Sequence, residues 1–165
     1  MDPTLAQGAA VADLLWPDLV EEDGAVFLRS GRLAASAPLS SFTDLVDAEC
    51  FVNHVHMLDE FEHDADLDDE PFWNSGHDDF KRAVALAAIV AEVWAARLAR
   101  DFPDQIFAVF ATRDDNPIVR FHKIRPDLAL YQDPGYIERL DDGSALMLRV
   151  ENGRVAQRVG RLASS

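Results

Sequence analysis

The longest regular pattern of apolar residues lies in the segment SGHDDFKRAVALAAIVAEVWAARLARDFP, over about residues 76–101. Apolar side chains recur there at helical spacing from Phe80 to Leu98, and further apolar residues widen the stripe. The pattern predicts one long helix that is buried on most of its sides. A start resembling a capping box at Ser75 and a stop at Pro103 set its expected ends.

Three pairs of short apolar segments predict β-hairpins. AVFLRSGRLAAS is expected to fold back on itself at Ser30 and Gly31. QIFAVFATR and PIVRFHKI are expected to pair across DDNP, with the first of them buried on both faces. ALMLRV and RVAQRV flank Asn152 and Gly153, which form a strong hairpin-turn signal. β-branched and aromatic residues predict one further strand over residues 49–58.

The order of these elements, strands followed by one long helix and then more strands, is typical of an α+β fold. We therefore predict a single α+β domain over residues 1–165, with a mainly antiparallel sheet of hairpins and the long helix packed on it. A short amphipathic helix over residues 4–16 is predicted at the N-terminus, ended by Pro17. Trp16 and Trp94 are expected to pack on the sheet.

Charge is distributed unevenly along the chain. Residues 1–80, called here the acidic half, carry 19 acidic and 2 basic residues, whereas residues 81–165 carry 11 acidic and 13 basic residues. The total of −15 repels phosphate backbones, so nucleic-acid binding is not expected. The same field either serves only solubility or attracts a basic protein partner. The carboxylates expected to meet that partner are Asp64, Asp66, Asp68, Asp69 and Glu70.

Cysteine content and hydropathy bear on the cellular compartment. Cys50 is the only cysteine, so no disulfide can form within the chain, and a reducing cytoplasm is the expected location. The N-terminal segment lacks the basic region of a secretory signal. No run of apolar residues approaches the roughly 18 that would cross a bilayer, so no membrane association is expected.

Histidines and carboxylates are concentrated in the segment FVNHVHMLDEF. On a strand, His54 and His56 would share one face about 7 Å apart, a spacing at which two imidazoles can bind one Zn, Fe or Mn ion. Glu60 and His122 are the further candidate ligands. The alternative hypothesis is that these histidines are ordinary hydrogen-bonded residues of the core or the sheet edge, with no cofactor.

The spacing His-x-His-x3-Glu resembles the first metal motif of the cupins. The glycines that flank this motif in cupins would fall near Ala48 and Leu67, and neither position is glycine. The predicted long helix also occupies the place where further barrel strands would be required. The resemblance is therefore confined to seven residues, and we reject a cupin fold.

The acidic segment after Glu60 shares some positions with a calcium-binding loop. Asp64, Asp66 and Asp68 match the first three oxygen ligands of an EF-hand. Asp69 stands where that loop requires glycine, and Ser75 stands where it requires glutamate. The sequence thus excludes an EF-hand and favours a solvated run of charges.

Two tyrosines flank a predicted turn in the segment LYQDPGYIE. Tyr131 and Tyr136 lie on either side of Pro134 and Gly135, which predict a turn. The two rings are expected to cover one end of the core, and the alternative is that they anchor a partner.

Three segments, LLWPDLVEEDGAVFL, FVNHVHMLDEF and VWAARLARDFPDQIFAVFA, together resemble a group of small uncharacterised bacterial proteins. The resemblance implies a compact bacterial α+β domain and supplies no active residue. The leading hypothesis is a non-enzymatic protein that binds a basic partner, for example as an inhibitor or immunity-type protein. A metal-binding protein or metal-dependent enzyme is the alternative, and a homodimer formed through the Ala-rich side of the long helix is a third hypothesis.

Overall fold

The computed structural model describes residues 4–35, 37–60, 71–72, 74–140 and 142–163. Within these ranges the helices and strands are α1 (Leu5–Leu15), β1 (Leu19–Glu22), β2 (Ala25–Leu28), α2 (Arg29–Ala35), α3 (Leu45–Val52), β3 (His54–His56), α4 (Asp78–Asp101), β4 (Phe107–Thr112), β5 (Ile118–Lys123), α5 (Pro134–Leu140), β6 (Ser144–Glu151) and β7 (Arg154–Leu162).

The long helix α4 confirms the strongest prediction from the sequence. Its N-cap is His77, whose Nδ1 accepts a hydrogen bond from the backbone N–H of Asp79 at 3.1 Å, so the start predicted at Ser75 is wrong. Asp78 and Asp79 in the first turn suit the positive end of the helix dipole. Neither α4 nor any other helix in the described ranges is long and apolar enough to cross a membrane.

Five strands form an antiparallel sheet in the order β3-β5-β4-β6-β7, and α4 packs across one face of it. The two C-terminal hairpins, β4–β5 and β6–β7, are paired as predicted. Strand β4 lies at the centre and is buried at every position, as its apolar sequence indicates. The fold is therefore α+β, with the long helix on an antiparallel sheet.

Trp16 and Trp94 lie in different environments. Trp94 on α4 is buried edge-on against Phe121, with ring centroids 5.9 Å apart, and its Nε1 donates to the backbone oxygen of Leu14. Trp94 therefore packs on the sheet, as predicted. Trp16 instead lies against the end of α4, with the guanidinium groups of Arg97 and Arg100 each 4.6 Å from its ring centroid.

The hairpin predicted at Ser30 and Gly31 is wrong, and a different hairpin forms earlier in the chain. Strands β1 and β2 are joined at Asp23 and Gly24, which both adopt positive φ angles, of 50° and 82°. Aspartate and glycine tolerate this conformation, so they form the tight turn. The predicted turn residues lie in α2 instead, where a Cβ on Gly31 would approach the backbone oxygen of Val52 to 2.3 Å. Gly31 thus allows α2 to pack closely against α3.

The strand predicted over residues 49–58 is mostly wrong. Residues up to Val52 belong to α3, whose N-cap Asp44 accepts a hydrogen bond from the backbone N–H of Asp47 at 2.9 Å. Only β3 is extended, and it pairs with the first half of β5. The cap and two buried polar side chains on one side of α3 override the β propensity of the segment.

The first of these side chains is Asn53, which follows α3 and bridges two strands that do not pair with each other. Its Oδ1 accepts from the backbone N–H of Leu28 at 2.8 Å. Its Nδ2 donates to the backbone oxygens of Val26 at 2.7 Å and Phe121 at 3.3 Å. The amide therefore connects the edge of β2 with β5.

The second is Glu49, a fully buried carboxylate that reinforces the same connection. Its Oε1 accepts from the backbone N–H of Val26, and its Oε2 accepts from that of Lys123, both at 2.9 Å. The Arg125 guanidinium neutralises it through bonds of 2.7 and 3.1 Å. Together, Glu49 and Asn53 fasten the β1–β2 hairpin to the five-stranded sheet.

The face of the sheet turned away from α4, called here the outer face, has a small core of its own. Ile137 of α5 packs there with Phe110, Met147 and Val159. The sequence predicts a turn at Pro134, but Pro134 is the first residue of α5. Proline is favoured at that position because its fixed φ suits a helix and its missing N–H is not needed.

Candidate functional site

The histidines of the FVNHVHMLDEF segment lie on the outer face, at the edge of the sheet formed by β3. His54 is paired with Arg120 and His56 with Ile118, so these four side chains share that face. The two imidazole rings are in contact, with centroids 5.1 Å apart and planes nearly perpendicular. The predicted proximity of the two histidines is confirmed.

A pocket of about 240 Å³ opens at this edge, between α3, the two strands and the segment that follows β5. We call it the aromatic pocket. Its main lining residues are Cys50, Phe51, His54, His56, Arg120 and Tyr131. Phe51 has 57% of its surface exposed and Tyr131 has 44%, so two large rings of this pocket remain open to solvent.

One wall of the aromatic pocket is a row of rings in contact. Phe42 and Phe51 have centroids 5.5 Å apart, and the Phe51 ring meets His54 at 6.0 Å. The His54 ring in turn meets His56. Neighbouring rings in this row are tilted by 48–82°, so each presents its own face or edge, and an aromatic group can pack against either.

His54 is held in one orientation by its own backbone. Its Nδ1 lies 2.5 Å from the backbone oxygen of Phe51. A carbonyl can only accept, so Nδ1 carries the hydrogen and Nε2 of the neutral ring bears the lone pair. Burial lowers the pKa of His54, and neighbouring His56 and Arg120 lower it further against the opposing effect of that hydrogen bond.

Arg120 supplies the positive charge of the aromatic pocket. Its guanidinium lies over the ring of Tyr131, 4.5 Å from the centroid. Within the described part of the chain it makes no side-chain hydrogen bond and no ion pair, in contrast to Arg32 and Arg125, which both bind carboxylates. Guanidinium is always charged in proteins, so the pocket holds a cation whose N–H donors are not used by the described residues.

Cys50 lies on the α3 side of the same pocket but is almost fully buried. Burial raises the pKa of its thiol to about 12, and the opposing effect of Arg120 is smaller. A thiol of this kind is a weak nucleophile at neutral pH. A buried cysteine of this kind behaves as a small apolar residue.

His122, one of the four candidate metal ligands, uses both ring nitrogens elsewhere. Its Nδ1 lies 3.0 Å from the backbone oxygen of Lys123, and its Nε2 accepts from the backbone N–H of Tyr131 at 3.3 Å. The ring is fully buried and stacked on Phe110. Burial lowers its pKa and keeps the ring neutral. His122 therefore holds Tyr131 in place at the aromatic pocket.

The predicted metal set of His54, His56, Glu60 and His122 is thus only partly brought together. The first two are adjacent, Glu60 is exposed in the turn after β3, and His122 is engaged as described. No group of three His, Cys, Asp or Glu side chains that could hold a metal ion occurs in the described ranges. The metal centre stays a prediction.

The predicted partner-binding residues Asp64, Asp66, Asp68, Asp69 and Glu70 lie outside the described residues. Up to residue 60, the structure describes the acidic half from residue 4 onward, apart from residue 36. There, the only two basic residues are Arg29 and Arg32. Arg29 lies 3.9 Å from Asp18, and Arg32 binds Glu22 at 2.7 Å, so both are already in ion pairs.

That Phe51, Arg120 and Tyr131 line one pocket was not predicted from the sequence. One signal was present for Arg120. It stands between the apolar residues Val119 and Phe121 in a predicted strand, and a charged side chain at such a position calls for a reason.

Comparison with known proteins places the chain in a family without giving it an activity. A family model described as "Uncharacterized protein PM0498 family" matches residues 6–152. The matched range includes every residue of the aromatic pocket and every element from α1 to β6 except the first residue of α1. No curated protein is significantly similar to the chain, and neither is any solved structure. The chain belongs to the uncharacterized protein PM0498 family.

Proposed function

We propose that the protein is a non-enzymatic binding protein that captures a basic protein partner through its acidic half. The supporting observation is the uncompensated charge of residues 4–60. This range holds ten carboxylates and two arginines, a formal charge of −8, and both arginines are already paired with carboxylates of the same range.

Seven of those ten carboxylates make no ion pair with the described residues. They are Asp13, Glu21, Asp23, Asp44, Asp47, Asp59 and Glu60. Glu21 and Asp23 are exposed at the β1–β2 hairpin, and Asp59 and Glu60 are exposed at the end of β3. The further carboxylates of residues 61–70 add to the same negative field.

A field of this sign would act on the rate of association more than on the strength of the final contacts. Opposite charge can raise association rate constants from the usual 10⁵–10⁷ to about 10⁸ M⁻¹s⁻¹ at low salt. Fast capture is what an inhibitor or an immunity-type protein needs against a basic toxin or nuclease. That role is the concrete form of the proposal.

The test is recovery of a basic protein from the host at low salt, followed by kinetics with the purified pair. The association rate constant is expected to fall at least tenfold between about 50 and 500 mM salt. Reversing the hairpin charges with Glu21→Lys and Asp23→Lys should lower it at low salt. The double variant Asp127→Lys and Glu138→Lys makes the same change of charge at two exposed positions outside the acidic half; it is the matched control and should have less effect.

Two results would refute the proposal. One is that no basic protein is recovered at low salt. The other is an association rate that neither salt nor the hairpin variant changes, because binding would then not depend on the acidic half.

Metal binding by His54 and His56 remains a second candidate, favoured by one observation. His54 donates through Nδ1 to a backbone oxygen, which leaves Nε2 free, and metal-bound histidines commonly show this arrangement. The nearby Arg120 cation opposes it, because two positive charges would then share one small pocket. Elemental analysis decides the matter: one Zn, Fe or Mn per chain, lost in His56→Ala, would support a metal site, and its absence would dismiss one.

A further inference from the structure

The aromatic pocket combines features that point to a ligand other than a metal. It holds the Arg120 guanidinium, which forms no ion pair with the described residues, although Asp47 lines the same pocket. Around that charge are the partly exposed rings of Phe51 and Tyr131 and the two imidazoles, which contact each other edge to face. Arg139, Arg154 and Arg161 also form no ion pair with the described residues, but they are exposed, whereas Arg120 is half-buried in the pocket.

We propose that the aromatic pocket binds a small monocarboxylate with a flat apolar body, and that Arg120 binds the carboxylate group. The planar guanidinium offers two parallel N–H donors that match the two oxygens of a carboxylate. The contact with the Tyr131 ring holds the guanidinium in the pocket, while its N–H donors are not used by the described residues. This site is independent of the proposed capture of a basic protein.

The apolar body of the ligand is expected to contact the wall of the pocket that the row of aromatic rings forms. Phe51, His54 and His56 form a row of rings tilted to one another, and a planar group can pack against one of their faces or edges. The neutral His54 presents a lone pair at Nε2, which repels a carboxylate oxygen. The carboxylate is therefore expected at Arg120 and the apolar body at the ring row.

Size and charge restrict the ligand to a small monoanion. A volume of about 240 Å³ lies below the 300–1,000 Å³ common for drug-sized ligands, so only a small molecule fits. Asp47 lines the same pocket and adds a negative charge, which disfavours phosphates and other multiply charged anions. The strongly negative chain disfavours them further.

Benzoate is a suitable probe, because it has one carboxylate on one flat ring. We would titrate it into ¹⁵N-labelled protein and follow the backbone signals by NMR. Signals of Phe51, Arg120 and Tyr131 should shift and saturate, with a dissociation constant on the order of 1 mM, as expected for a ligand of about nine heavy atoms. Benzamide, which has nearly the same shape without the charge, should bind at least tenfold more weakly, as should inorganic phosphate.

Two variants locate the binding. Arg120→Gln should raise the dissociation constant of benzoate at least tenfold. Arg154→Gln is the matched control, because Arg154 is an exposed arginine on β7 that takes no part in the pocket, and it should bind like the wild type. The NMR spectrum of each free variant shows whether it is folded.

The proposal is overturned if benzoate causes no saturable shifts at these signals, or if benzamide or phosphate binds as tightly as benzoate. It is also overturned if folded Arg120→Gln binds benzoate like the wild type. The comparison of benzoate with benzamide uses the wild-type protein alone, so it decides the matter even if Arg120→Gln does not fold.

Discussion

The buried carboxylate of Glu49 gives the sharpest test of how the fold is held together. The structure assigns it four hydrogen bonds, two from backbone N–H groups on separate elements and two from Arg125. Glu49 is fully buried, and only 13% of the Arg125 side chain is exposed, so water screens this pair little. Replacing Glu49 with alanine would leave a nearly buried guanidinium and two backbone donors without their acceptor.

The expected loss of unfolding free energy follows from that geometry. Removing one partner of a buried ion pair typically costs about 3–5 kcal/mol, because the other charge is left uncompensated. We expect Glu49→Ala to fall in that range, a large part of the roughly 5–15 kcal/mol that stabilises most domains. Arg125→Ala should cost a similar amount, and the double variant should lose much less than the sum of the two.

Urea unfolding at neutral pH measures these losses from the shift in midpoint at unchanged slope. Glu22→Ala is the matched control, because it breaks the more exposed ion pair with Arg32, which solvent screens. A loss for Glu49→Ala no larger than that of Glu22→Ala would refute the reasoning. Additive losses in the double variant would equally show that Glu49 and Arg125 do not act as a pair.

Three further predictions follow from buried groups and close contacts. The Cys50 thiol has a pKa of about 12, so at pH 8 it should react with iodoacetamide at least a hundredfold more slowly in the native protein than in urea. Mass spectrometry measures both rates, and equal rates would contradict the burial of Cys50. The pKa of His122 lies below its ordinary value of 6.5, so the unfolded chain binds a proton at a higher pH than the folded chain does. The free energy of unfolding should therefore be at its full value above about pH 6.5 and fall as the pH is lowered. Urea midpoints that do not change between pH 7.5 and 5.5 would contradict this. Gly31→Ala should lower the free energy of unfolding by about 1–3 kcal/mol, because the new methyl group clashes with the backbone of Val52. Gly8→Ala, in open space on α1, should raise it slightly. Thermal unfolding measures both effects, and equal effects would count against the contact with Val52.

The parts of the fold that follow from the sequence are those encoded by local patterns. Helix α4 has apolar spacing over 24 residues, and the hairpin at Asn152 and Gly153 has a turn that few other residues can form. The first hairpin had the same kind of signal at Asp23 and Gly24, so its position could have been predicted. The segment after it instead forms helix α2, and Gly31 serves there for close packing.

Helix α3 could not have been predicted in this way, because distant residues determine it. Glu49 binds Arg125, which lies 76 residues further along the chain, and Asn53 binds Phe121, which lies 68 residues further. The β-branched and aromatic residues around them favour a strand when only neighbours are considered. The tertiary hydrogen bonds outweigh that preference.

In the candidate site, too, some features follow from the local sequence and others depend on distant residues. The proximity of His54 and His56 follows from the two-residue period of a strand, so the sequence was sufficient. The aromatic pocket also needs Tyr131, whose backbone is held by His122 from another part of the chain. Both ring nitrogens of His122 form hydrogen bonds with the backbone, and this is visible only in the three-dimensional structure.

The most direct test of the central claim, capture of a basic protein, is native mass spectrometry of untagged protein purified gently at low salt from its own host. We predict a complex of one chain with a basic protein, which dissociates as salt is raised and is lost when the hairpin carboxylates Glu21 and Asp23 are replaced by lysine. A bare chain under the same conditions, or a chain that carries only a stoichiometric metal ion, would contradict the account.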